Sequence, residues 1–103
     1  MDKKKADGVV EAVHYTPDGQ VAWIRAYERR GTTYSDVILL DRNTLIARLK
    51  SGKRFYAGQR IPMQASTFTL TTPFHLVQNE NKEILVTGHL QADHDLLEGV
   101  PII

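Results

Sequence analysis

Over residues 8–41 apolar positions recur with a period of two and are broken at two glycine-bearing bends. The first bend is "TPDGQ" at 16–20. Pro17 presets the φ of a turn, Asp18 can bond to its own backbone, and Gly19 supplies the left-handed residue that closes a tight hairpin. The second is "ERRGT" at 28–32, with Gly31 in the same role. Three antiparallel strands are predicted, at about 8–16, 20–28 and 32–41.

If Thr16 faces Gln20 and Glu28 faces Thr32, the side chains sort into two faces. One holds Val9, Tyr27, Thr33, Glu11, Arg25, Ser35, Val13, Trp23, Val37, Tyr15, Val21 and Leu39. The other holds Val10, Ala26, Tyr34, Ala12, Ile24, Asp36, His14, Ala22 and Ile38. The first carries more apolar bulk and is expected to face the core, with Glu11 opposite Arg25. The second is lined with alanines and needs a partial cover.

"DRNTLIARLKSG" then changes the period. Asp41 or Asn43 can cap a helix, Leu45, Ile46 and Leu49 share one side, and Gly52 stands where a left-handed stop belongs. A two-turn helix is predicted. After it, 53–57 reads as a strand, "AGQRIP" as a turn, 66–77 as a threonine-rich strand with Pro73 at an edge or bend, and "EILVTG" as a last strand. The order predicts an all-β fold: a small OB-like barrel of five or six antiparallel strands, with one short helix between strands 3 and 4.

Length supports one domain over 1–103, because a chain of this size buries roughly two-thirds of its surface around a single core. Residues 1–6 are expected to lack fixed structure, and 89–103 to form an acidic and apolar tail. The sequence contains no cysteine, which removes disulfides, thiolate metal sites and cysteine nucleophiles. "MDKKKADGVV" has a charged start without the apolar stretch of a signal peptide, so the expected location is cytoplasmic.

The formal charge of +1 hides an asymmetry. Residues 1–78 hold 12 of the 13 Lys and Arg but 7 of the 12 acids, while 79–103 set Lys82 against Glu80, Glu83, Asp93, Asp95 and Glu98. A basic body bears on partners. Much of its charge lies in or near "SGKRFYAGQRI" at 51–61. Cations that track phosphates, beside rings that stack on bases, are the requirements of single-strand binding. Arg29, Arg30, Lys53, Arg54 and Arg60 are the candidate phosphate contacts. Tyr27, Tyr34 and Tyr56 are the candidate stacking platforms, Tyr56 being assigned to the exposed side of its strand with Arg54. The plain alternative is solvated charges and core rings.

"ADHDLLEGVPII" resembles the acidic tails of bacterial single-stranded-DNA-binding proteins in its charge and its apolar tip, but without their long linker. Such an end can dock on a partner or pack on the alanine-lined face of its own sheet. His89, Asp93, His94 and Asp95 are possible metal ligands at a spacing that follows no ligand rule, so no metal and no cofactor is expected. No phosphate-cradling glycine loop or nucleophile elbow occurs. The expectation is a non-enzymatic binding module, with single-stranded DNA or RNA as partner. The alternative is a protein-interaction or self-assembly module built on the alanine face and the apolar C-terminus.

Overall fold

The structure is a computed structural model, and it describes residues 6–61, 68–89, 92 and 94–103. In chain order the elements are β1 (Gly8–Tyr15), β2 (Val21–Arg30), β3 (Thr33–Tyr34), β4 (Ile38–Asp41), α1 (Arg42–Lys50), β5 (Phe55–Arg60), β6 (Phe68–Asn79) and β7 (Lys82–Thr87). The strands form one mixed, strongly curled sheet, a half-barrel that does not close. Across it the order is β3 and β4, both beside β2, then β1, β5, β6 and β7. The pairing of β1 with β5 is parallel and the others are antiparallel. This corrects the expected closed, all-antiparallel OB-like barrel: β5 returns alongside β1 after the helix, and a crossover of that length permits a parallel strand.

The predicted bends form, with Gly19 at φ 89° and Gly31 at φ 66°. At the first, the Thr16 amide donates to the Gln20 carbonyl at 2.7 Å, as the sequence predicts. The second has a two-residue loop in place of three and a shifted register, since Arg30 faces Thr33 and Arg29 faces Tyr34 where Glu28 was expected to face Thr32. The expected third strand is also interrupted at 35–37, where the Ser35 side chain accepts from the Glu28 amide instead of continuing the ladder. The helix starts where a cap was expected: the Asp41 carboxylate accepts from the Thr44 amide at 2.8 Å. The Thr44 hydroxyl and then its amide hold the Asp41 carboxyl below its ordinary value.

The two faces follow the expectation only in part: Val13 and Val21 lie inside as expected, but several of their neighbours change sides. In β1 the pairing passes from Val10 opposite Ala26 to Ala12 opposite Arg25, leaving Glu11 as an extra residue; Ala22 is the extra residue of β2. Each bulge turns the following side chains to the other face. The main core therefore gathers Val10, Val13, Val21, Ile24, Ala26 and Leu40 with Phe55, Ala57, Phe74 and Leu85, closed by Leu45 and Ile46 of α1. Ala26 and Ile24, from the face expected to lie outside, are in it. Trp23 is only half-buried, stacked on His14 with ring centres 5.0 Å apart. Leu39 and Val37, expected inside, are exposed on the β4 side.

The C-terminal stretch is a structural strap. Leu96 donates its amide to the Leu85 carbonyl of β7 at 2.8 Å, while Pro101 and Ile103 bond to Val13 of β1. Between those anchors Leu97 and Val100 enter the main core, each contributing about 1.5–3 kcal/mol by burial. The strap is tied down by Asp95. Its carboxylate accepts from the amides of Val21 (2.8 Å) and Leu85 (3.0 Å), and from Arg42 of α1 (2.8 and 3.0 Å). Burial opposes ionisation of this group, yet these donors outweigh it and hold its carboxyl below the ordinary value. β2, β7 and α1 thus meet at one anion.

Candidate nucleic-acid interface

The first described residues, Ala6 and Asp7, draw several of the expected cations to one end of the sheet. Asp7 extends β1: its amide donates to the Arg54 carbonyl at 2.7 Å, and its carbonyl accepts from the Arg29 amide at 2.8 Å. Its carboxylate takes Arg29 on one oxygen at 2.9 Å and the Arg54 amide on the other at 2.8 Å. Burial opposes charge on Asp7, but the Arg54 amide and Arg29, with help from nearby Lys53, keep its carboxyl below the usual range. Ala6 is buried although 1–6 were expected to lack structure; 1–5 lie outside the described residues.

The Ala6 carbonyl also accepts from the Tyr34 hydroxyl at 2.8 Å and from Arg29 Nε at 3.3 Å. Tyr34 and Arg29 face each other across the β2–β3 ladder, and exposed Arg30 follows at the hairpin. Exposed Lys53 and Arg54 approach from the connection between α1 and β5. Among the described residues, the Asp7 carboxylate thus meets the charges of Arg29 and Lys53, with Arg30 and Arg54 next to them in the chain.

Next to this cluster, among the described residues, Tyr27, Tyr34, Ser35, Asp36, Val37, Arg60 and Phe68 line a groove of about 390 Å³. Phe68 enters it because β6 pairs with β5 so that Phe68 stands opposite Arg60. Its ring centre lies 4.9 Å from that of Tyr27 and 4.7 Å from that of Tyr34, the latter edge-on. Burial raises the Tyr27 hydroxyl's pKa, and Glu11, which accepts from it at 3.3 Å, adds to that. Arg60 opposes the rise. Burial likewise raises that of Tyr34, against the opposing charge of Arg29. Both phenols are neutral near pH 7, with their hydroxyls held and their rings fixed at the groove.

Seven of the eight expected residues are thus at this end, in two groups: Tyr27, Tyr34 and Arg60 at the groove, and Arg29, Arg30, Lys53 and Arg54 around Asp7. Tyr56 is the correction. It does lie on the opposite face from Phe55, but that face is covered too. Tyr56 is 8% exposed in a second small cluster with Ala6 and Val9, against which Tyr34, Phe68 and Leu70 pack. Its ring supports the groove from below and has no free face for a base. Sequence reading missed Asp7, Asp36 and Phe68. Asp7 precedes the first strand, Asp36 sits in the break between β3 and β4, and the partner of Phe68 depends on a register that no turn motif sets.

The other sequence candidates fall elsewhere. Glu11 pairs with Arg25 at 2.8 Å as expected, but Ser35 is not their neighbour. Asp95 is committed to Arg42, Asp93 lies outside the described residues, and among the described residues no group of three His, Asp or Glu is placed to hold a metal. Lys53 and Arg54 also border a groove of about 480 Å³ with His75, whose ring stacks on that of His89. Comparison with known proteins finds no matching family model, no matching curated protein and no matching solved structure.

Proposed function

We propose that this protein is a non-catalytic binding module for single-stranded nucleic acid. The observation that carries the reading is the adjacency of a four-cation cluster to a groove walled by three aromatic rings and Arg60. Arg30, Lys53 and Arg54 contact phosphates; Arg29, held by Asp7, orders the cluster; and a base rests against Tyr27, Tyr34 and Phe68. Such binding releases counterions, so it weakens with salt. Three phosphate contacts give a log–log slope of about −2 for a single strand, or roughly a 20-fold loss between about 50 and about 200 mM salt. Fluorescence anisotropy of a labelled 12-mer, as DNA and as RNA, measures this. No binding at the lower salt, or binding indifferent to salt, refutes the reading.

Self-association is the second reading. Of the sequence features that suggested it, Ala26, Ile24, Leu97 and Val100 belong to one core, whereas Ile102 at the apolar terminus is 71% exposed and Ile103 46%. The edge strand β4 adds to it, with Leu39 61% exposed and neighbouring Val37 44%. Light scattering decides it: a monomeric mass removes this reading.

A further inference from the structure

We propose that the Tyr27–Tyr34–Phe68 groove selects guanine over the other bases, an inference that rests on the single-strand reading above. The groove is lined by one cation, Arg60, and one carboxylate, Asp36. Its lining therefore has no net charge, and a phosphate entering it meets repulsion from Asp36 as well as attraction from Arg60. A neutral, planar group with donors on one edge and acceptors on another fits it better. The aromatic wall supplies the stacking surface such a group needs.

The remaining polar groups of the groove are already bonded. Tyr34 donates to the Ala6 carbonyl and Tyr27 to Glu11. The Ser35 hydroxyl donates to the Asp36 carbonyl and accepts from the Glu28 amide. Among the described residues, Arg60, whose donors meet the Tyr27 hydroxyl, and the exposed Asp36 carboxylate are left to read a ligand. A guanidinium fork matches the paired acceptors O6 and N7 of guanine. A carboxylate, which only accepts, matches the paired donors N1–H and N2–H on the guanine's other edge. Adenine presents its N6 amino group beside acceptors on both sides, so each of the two protein groups meets one mismatched atom. Thymine offers neither pair, and cytosine offers two neighbouring acceptors, O2 and N3, but no paired donors for the carboxylate.

The test is anisotropy on a labelled twelve-residue thymidine oligonucleotide and on three versions with one central guanine, adenine or cytosine. The guanine version is expected to bind roughly tenfold or more tightly than the rest. Asp36→Asn, at an exposed position, is expected to reduce the guanine version to the affinity of the others. Arg60→Lys, which keeps the charge and loses the fork, is expected to erase the guanine preference, whatever its effect on all-thymidine binding. Equal affinity for all four oligonucleotides overturns the guanine assignment and leaves the single-strand reading standing. An equal loss for all four in Asp36→Asn, with its circular dichroism unchanged, also overturns the assignment. No binding to any of them overturns both.

Discussion

Replacing Asp95 isolates the anchor that joins the strap to the rest of the fold. The side chain is 1% exposed and accepts from two backbone amides and from Arg42, itself largely covered. Asp95→Ala leaves a largely covered guanidinium without its partner, which costs about 3–5 kcal/mol for a buried pair. It also orphans the Val21 and Leu85 amides at about 1–3 kcal/mol each. These losses overlap and do not simply add. Even so they consume much of the roughly 5–15 kcal/mol that separates folded from unfolded states, and Asp95→Ala is expected to be largely unfolded. Asp95→Asn is the informative variant. It keeps one acceptor oxygen and the shape but loses the charge, for an expected cost of about 2 kcal/mol. That corresponds to a fall in melting temperature of roughly 8–16 °C. Urea unfolding followed by tryptophan fluorescence measures the same loss, because Trp23 lies on β2 close in sequence to Val21. The wild-type contribution has a defined pH dependence. The folded carboxyl is held below its unfolded value, so its stabilisation is complete above about pH 4 and fades as pH falls through the lowered folded value. An Asp95→Asn midpoint within about 0.5 kcal/mol of wild type at pH 7 would refute the account of Asp95 as an anchor.

Gly58→Ala tests the closeness of β5 and β6, because a Cβ there would sit 2.3 Å from the Thr69 carbonyl oxygen; an overpacking cost of about 1–3 kcal/mol is expected in urea unfolding, and wild-type stability would contradict it. Asp7→Asn frees Arg29 while leaving an oxygen for the Arg54 amide. It should cost no more than about 1 kcal/mol at neutral pH and strengthen oligonucleotide binding several-fold; weaker binding would count against the cationic cluster. Leu39→Lys, on the exposed side of an edge strand, should change stability by less than about 0.5 kcal/mol. A halving of the scattering mass in that variant would expose a β4-mediated dimer in the wild type.

The local signals in the sequence carried far. Proline, aspartate and glycine at 17–19 mark a hairpin whatever surrounds them, and Asp41 before Leu45 and Ile46 marks a helix start. The faces were not legible, because β1 lies in the middle of the sheet. Val9 and Val10, then Ala12 and Val13, are all buried, so no polar contrast reveals which of each pair points inward or where a bulge reverses them. The parallel pairing of Gly8, Val9 and Val10 with Phe55, Tyr56 and Ala57 joins residues nearly half the chain apart, and no short motif encodes it. The same blindness affected the site. Tyr27 and Tyr34 could be placed near the hairpin turn, but the expected register put them on opposite faces; Tyr56 was assigned to water by alternation alone, without knowing that Ala6, Val9 and Phe68 cover it.

The strap has a consequence for the order of assembly. The bonds Val21–Asp95, Tyr15–Leu97 and His14–Ile103 span 74, 82 and 89 residues of chain. Loops of that span must be closed before their contacts can repay the lost chain entropy. The hairpins can form on their own schedule, but the middle of the molecule stays wet until the far end arrives, which places refolding toward the slow, non-local end of small-domain kinetics.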